Sequence, residues 1–252
     1  MTDSYPKGSL YVHTQNRIAK VVFGHPAANS FPAELLKRLT DALQELGKNP
    51  EVSVILLASE GDKAFCAGAS FDELKAVQTP EDGLAFFSGF AHLINAMRTC
   101  GKIIVGRAQG KAVGGGVGIL AACDYVLATE DAAIKLSELS IGIGPFVIAP
   151  AVARKIGTNG LAELTLAAHE WKNAYWAKQK GLYANVFETH KLLDDEIDRF
   201  VVKLASYHLE ALSEIKKTLW KDTDHWGELL IENAKISGRL VLSDFTKKAL
   251  KN

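Results

Sequence analysis

Three consecutive glycines, Gly114-Gly115-Gly116, stand between a strand-like run, Ile103-Ile104-Val105, and a helix-like stretch, Ile119-Leu120-Ala121-Ala122. Glycine costs helix stability, so its use here points to backbone that must approach something closely. The first N–H groups of a helix have no intrahelical acceptor and favour negative charge. A second small-residue loop, Ala64-Phe65-Cys66-Ala67-Gly68-Ala69-Ser70, follows another apolar run, Val52 to Ala58. If the two runs are neighbours in a parallel sheet, both loops leave the same edge, where open α/β sheets place ligands. One N–H from each loop could then converge on a single oxygen as an oxyanion hole, each fixed donor being worth on the order of a hundredfold in rate. The alternative is that both loops are simply tight turns.

Phosphate-binding patterns fit the glycine run poorly. A Walker loop needs a Lys directly after its last glycine, and a dinucleotide fingerprint would need glycine where this chain has Ile119. A carboxylate follows at Glu138, in Leu136-Ser137-Glu138-Leu139, ahead of the turn Gly142-Ile143-Gly144-Pro145. Buried among those neighbours, its pKa would rise and it would serve as an acid/base. In the open, it would be an ordinary loop glutamate. His25, His92 and His169 sit in no segment that leads to the same edge, and are read as satisfied or exposed histidines.

The elements that must hold these residues follow from hydrophobic spacing. Leu10 to Phe23 reads as an antiparallel hairpin around Gln15-Asn16. Leu35, Leu36, Leu39, Leu43 and Leu46 fall at helical spacing, with Asn29 or Ser30 available as a cap. Val52 to Ala58 reads as a strand buried on both faces. A helix near Leu84 to Met97, a strand over Lys102 to Ala108 and another over Tyr125 to Ala128 continue the alternation. Alternating helices and apolar strands imply right-handed crossovers around a largely parallel sheet. Beyond Pro150 the spacing turns helical, in Leu161 to Ala168, Leu192 to Leu209, Ile215 to Trp220 and Leu229 to Leu240. The expected division is an α/β core over 1–190 and a helical region over 191–252, packed on the core or on a neighbouring subunit.

Composition sets outer bounds. With 252 residues and 48% hydrophobic content the chain can bury a large core. Lys plus Arg and Asp plus Glu both number 29, so no global charge favours nucleic acid or an acidic membrane, and any anion must be held locally. No uninterrupted apolar segment is long enough to span a bilayer, and Met1 to Pro6 lacks the pattern of a leader, so a cytoplasmic location is expected. Cys66, Cys100 and Cys123 form no CxxC pair and are read as buried thiols, with no metal site.

The chain resembles the crotonase superfamily, the enoyl-CoA hydratases and isomerases, over nearly its whole length. The motifs are Pro26-Ala27-Ala28-Asn29, Ala64-Phe65-Cys66-Ala67-Gly68-Ala69, Gln109-Gly110-Lys111-Ala112-Val113-Gly114-Gly115-Gly116, Cys123-Asp124, Ser137-Glu138, and Ala174-Tyr175-Trp176-Ala177 with its continuation to Tyr183. The resemblance implies a spiral of ββα units with C-terminal helices that trimerise, and trimers that pair into hexamers. It implies an acyl-CoA thioester whose carbonyl is held by the N–H groups of Ala69 and Gly115, with coenzyme A entering only as part of the substrate and no other cofactor. Glu138 would be the catalytic carboxylate and Asp124 a structural residue. Ala27, Ala28, Ala67, Gly68, Gly114 and Gly118 would lie along the substrate path, and Lys217 or Lys221 would meet CoA phosphates. Phe71, Phe86, Phe87, Phe90 and Phe146 are candidates for the acyl walls.

Two residues depart from the superfamily pattern. The best-known hydratases carry a second glutamate where this chain has Gly118, and many relatives have Asp where it has Ser70. Syn hydration suits two carboxylates, whereas moving a double bond between the 3 and 2 positions needs one base. The wider pattern, Gly116-Val117-Gly118 with Ser137-Glu138 and Gly142 to Pro150, is similar to the branch of bacterial methylglutaconyl-CoA hydratases of leucine catabolism. Hydration of a 2-enoyl-CoA is therefore the expected activity, with single-glutamate 3,2-enoyl-CoA isomerisation as the alternative. A non-catalytic CoA-ester-binding or scaffold protein is the alternative of another class.

Overall fold

The computed structural model describes residues 7–251, so Met1 to Pro6, read above for a leader, lie outside the described residues. Strands β1 (Ser9–Gln15) and β2 (Ile18–Gly24) form the expected antiparallel hairpin. Asn16 and Arg17 both take positive φ, the conformation a two-residue hairpin turn demands. Helix α1 (Ala33–Lys48) buries Leu35, Leu36, Leu39, Leu43 and Leu46 on one stripe. Its cap differs from expectation, because Pro32 holds the N-cap position and neither Asn29 nor Ser30 closes the helix. The Ala33 N–H instead donates to the Glu73 carboxylate at 2.8 Å. Asn29 is drawn inward, its amide donating to the carbonyls of Glu60 and Ala64.

From here the chain winds between two sheets. Strand β3 (Val54–Ser59), buried throughout, is followed by β4 (Ala64–Cys66) and helices α2 (Phe71–Ala76) and α3 (Pro80–Thr99). Next come β5 (Ile103–Ala108), β6 (Lys111–Val113) and α4 (Gly115–Ala122). The third turn is β7 (Tyr125–Thr129), β8 (Ile134–Lys135), a short 3-10 helix (Glu138–Ile141) and α5 (Ala149–Leu166). Helix α6 (Ala174–Lys180) leads to β9 (Asn185–Phe187). The long strands make one sheet, ordered β1-β2-β3-β5-β7-β9, and the short ones a second, β4-β6-β8. Apart from the β1–β2 hairpin, the strand-to-strand pairings among the described residues are parallel. This is the spiral of ββα units that the resemblance implies.

The second sheet is what sequence spacing did not show. Its strands of two or three residues are too short to display a period of two; β4 and β6 fall within the two small-residue loops of the sequence, and β8 carries no strand signal of its own.

The C-terminal helices are α7 (His190–Ala205), α8 (Leu209–Leu219), α9 (Trp226–Leu240) and α10 (Asp244–Ala249). The apolar stretch expected as one helix from Leu192 to Leu209 breaks after Ala205. Leu193, Ile197 and Val201 of α7 cover one face of the large sheet over Val54, Val105 and Leu127. Helix α9 lies on α3 so closely that a Cβ at Gly83 would stand 2.7 Å from the Gly238 Cα. These helices thus pack on the core of their own chain. No helix among the described residues is long and apolar enough to cross a membrane.

Candidate active site

Strands β4 and β6 lie side by side, with Ala64 opposite Lys111 and Cys66 opposite Ala112, so the loops that leave them emerge together. Gly68 takes φ +92° and Gly114 φ +52°, turns that favour glycine. Phe31 fastens the first loop: its N–H donates to the Gly68 carbonyl and its carbonyl accepts from Ser70 N–H. In such a bridge the intervening residue faces the other way, which leaves the Ala69 N–H turned from Phe31. In the second loop, Gly115 N–H heads α4. A Cβ at Gly68 would stand 3.6 Å from Gly115 N. Among the described residues neither the Ala69 nor the Gly115 N–H has a protein acceptor. Two free backbone donors therefore flank one cavity.

The glycine run is required by what surrounds it. A Cβ at Gly115 would stand 2.3 Å from the Phe90 ring, and one at Gly116 would stand 2.6 Å from the Cys66 carbonyl oxygen. A Cβ at Gly114 would stand 2.7 Å from Glu138 Oε1. That last contact shows the carboxylate against the head of α4. Glu138 Oε2 is buried and has no hydrogen-bond partner among the described residues. Burial pushes the Glu138 carboxyl up to about 7, against a smaller opposing pull from its own backbone N–H. Near neutral pH it can thus both accept and donate a proton.

The cavity has a volume of about 190 Å³, well beyond the roughly 10–15 Å³ that one water requires. Its walls include Ala67, Gly68, Ala69, Gly114, Gly115 and Glu138, all sequence-expected site residues. Phe71, Phe86, Phe87 and Phe90 line it as well, while Phe146 does not and packs against Gly144. Sequence reasoning missed Ile148, Ile141, Ile143 and Leu74 of the wall, and Ser237 on α9. No local signal singles these out, since they are ordinary residues of helices and turns brought in by packing.

Five expected site residues lie elsewhere. Ala27 and Ala28 are outside the cavity wall, although the Ala28 carbonyl accepts from Ala67 N–H and ties their loop to its rim. Gly118 is buried beneath Ile148, where an added Cβ would meet Ile148 Cγ2 at 2.4 Å. Lys217 is exposed and paired with Glu214 of its own helix, and Lys221 does not border the cavity. Instead it is Lys216 that turns inward, 2.7 Å from Asp124, with both side chains 2% exposed. Asp124 also accepts from Ile104 N–H and Trp220 Nε1–H, and its carbonyl accepts from Lys155. This charged, fully bonded cluster anchors α8 and α5 to the sheet below α4. The three cysteines are buried free thiols, and burial pushes Cys66 and Cys123 up to about 12, far from reactivity.

Comparison with known proteins gives the family and the fold. Residues 13–250 match the profile of the enoyl-CoA hydratase/isomerase family. The chain belongs to that family. It is 29% identical over 214 residues to a probable enoyl-CoA hydratase of Rhizobium meliloti, covering 84% of this chain and 80% of the relative. It is 26% identical over 201 residues to the peroxisomal Delta(3,5)-Delta(2,4)-dienoyl-CoA isomerase of Arabidopsis thaliana, covering 73% and 70%. In fold it is similar to the crystal structure of enoyl-CoA hydratase from Bacillus halodurans, with a TM-score of 0.88 over 96% of this chain and 98% of that one, at 20% identity. Hydratases and isomerases thus share this scaffold, and what separates them must lie in the side chains around the two donors. In this member of the enoyl-CoA hydratase/isomerase family, Glu138 is the lone ionisable residue of the cavity wall among the described residues.

Proposed function

We propose that this protein hydrates a 2-enoyl-CoA thioester with Glu138 as its single acid/base. The observation that carries the reading is the buried, unpartnered Glu138 carboxyl, pushed up to about 7, beside the free N–H groups of Ala69 and Gly115. The thioester carbonyl accepts from both donors. Glu138, as carboxylate, takes a proton from water while the water oxygen bonds to C3. The C2–C3 π electrons pass to the thioester as an enolate, whose oxygen the two N–H groups stabilise. The protonated Glu138 then returns its proton to C2, so one carboxyl serves both halves of the addition and ends as it began. The relative from Rhizobium meliloti, named as a probable hydratase, supports this reading.

A specific observation favours a second reading. Ile148 occupies the space beside Gly118, so no second carboxylate can stand there without moving it. Glu138 alone suffices to remove a proton from C2 of a 3-enoyl-CoA and return it at C4, which is isomerisation. The two readings separate by mass when crotonyl-, methylglutaconyl- and 3-enoyl-CoA are each incubated with the protein. Gain of one water reports hydration, and conversion of the 3-enoyl ester at unchanged mass reports isomerisation. Absence of both, with ester binding intact, refutes the catalytic proposal and leaves a CoA-ester-binding protein. Glu138→Gln is the control, expected to lower kcat by orders of magnitude while ester binding persists. Exposed apolar residues on the C-terminal helices, Val202, Ile215, Leu219 and Phe245, support the trimer that the resemblance implies, and sedimentation equilibrium reads it directly.

A further inference from the structure

Five buried side-chain polar atoms have no hydrogen-bond partner among the described residues: Ser53 Oγ, Gln109 Oε1, Glu138 Oε2, Thr165 Oγ1 and Ser237 Oγ. Such atoms are rare in folded proteins and each calls for a reason. Only Glu138 and Ser237 border the catalytic cavity. Glu138 is accounted for by proton transfer, which leaves Ser237.

Ser237 is 1% exposed and lies near the C-terminal end of α9. Its location along the cavity can be read from α3, which runs beside it. Phe90 of α3 packs against Gly115, at the donor end. Gly83 of α3 packs against Gly238, the residue next to Ser237. Seven residues of helix separate these two contacts, roughly 10 Å at 1.5 Å per residue. A hydrogen bond reaches only about 3 Å, so Ser237 is out of range of a carbonyl held by Ala69 and Gly115. Between the two ends the α3 wall is aromatic, with Phe86 and Phe87. Leaving a hydroxyl unpaired in such surroundings is unfavourable. The hydroxyl is therefore suited to a polar atom that arrives with the substrate.

We propose that Ser237 is a specificity-determining residue that hydrogen-bonds an oxygen function carried on the acyl chain beyond the reacting double bond. The substrate class is thus an oxygen-bearing enoyl-CoA, with a hydroxyl, keto or carboxyl group remote from the thioester, in place of a plain hydrocarbon chain. Ser237 both donates and accepts, so it can serve any of the three. This inference rests on the acyl-CoA reading above.

The test uses the full-length protein and its Ser237→Ala variant, which removes one atom and adds none. Three 2-enoyl-CoA thioesters of matched length are compared, ending in methyl, in a neutral keto or hydroxyl group, and in carboxylate. Calorimetric binding and kcat/KM are both measured. In the wild type at least one oxygen-bearing ester is preferred over the methyl ester. In Ser237→Ala the ratio of oxygen-bearing to methyl ester falls about five- to tenfold, as expected for one lost hydrogen bond. The arm that loses its preference identifies a neutral or a charged oxygen. A ratio unchanged by the substitution for both oxygen-bearing esters overturns the proposal. Binding preferences that respond to Ser237→Ala while no ester is turned over would sustain this inference and refute the proposed activity, so the two fail separately.

Discussion

Replacing Glu138 by Gln should stabilise the protein at neutral pH and above relative to acid. Burial lifts the Glu138 carboxyl from its ordinary 4.5 to about 7. Between those pH values the folded protein keeps a proton that the unfolded chain has released. Folding stability therefore falls as pH rises through this window, and the full loss is in place above the folded value. Each tenfold change in proton affinity is worth about 1.4 kcal/mol, so a carboxyl lifted from 4.5 to about 7 costs up to about 3 kcal/mol at pH 8. Glu138 as a whole is only half-buried, and solvent around its outer part lowers the expected figure to about 2 kcal/mol. Gln cannot titrate, so its own packing cost is the same at every pH. The assay is urea unfolding of both proteins from about pH 4.5 to about pH 8. The stability difference, variant minus wild type, should grow by about 2 kcal/mol across that range, while every other titrating group cancels. A difference that stays flat refutes a raised carboxyl at Glu138. The same titration governs turnover: wild-type kcat/KM should fall about tenfold per pH unit below about 7, as the carboxylate is lost. A plateau persisting to about pH 5 would contradict a carboxylate base at this position.

Gly114→Ala forces a Cβ to within 2.7 Å of Glu138 Oε1 at a backbone φ of +52°, so steady-state kinetics should show kcat lowered about a hundredfold by the displaced carboxylate. A variant within twofold of wild type would separate Glu138 from the glycine run. Lys216→Ala strands Asp124 without its cation in a site 2% exposed, and denaturant unfolding should reveal a loss of about 3–5 kcal/mol. Gly118→Ala should cost about 1–3 kcal/mol through its contact with Ile148. Combined with Ile148→Gly, it should prove non-additive by at least about 1 kcal/mol, the double variant losing less stability than the sum of the singles because the clash is gone. Simple additivity would mean that Ile148 does not fill the space beside Gly118.

Local sequence already determined the long elements and the three groups at the centre of the site. The stripe from Leu35 to Leu46 and the unbroken apolar run at Val54 to Leu57 are large, periodic signals that packing had no reason to override. Gly114 to Gly116 and the Ala67 to Ala69 loop announced close backbone approach because only small residues satisfy it. Glu138 was legible as a carboxylate among apolar neighbours.

Tertiary structure decided the rest, because the deciding contacts join residues far apart in the chain. The second sheet exists only because β4, β6 and β8 pair with one another, and two or three residues carry no period by which to foresee it. Phe31 frees the Ala69 N–H by pinning the loop around it, across 38 positions that no local rule connects. Gly118 marked a missing carboxylate, but Ile148 alone shows that the space is filled rather than open. Of the neighbouring lysines on α8, Lys216 faces Asp124 while Lys217 faces water, a choice made by how the helix rotates against the sheet. Ser237 entered the cavity wall because two glycines let α9 settle on α3. Sequence thus set which groups could do the chemistry; long-range packing set which of them meet and which others share their cavity.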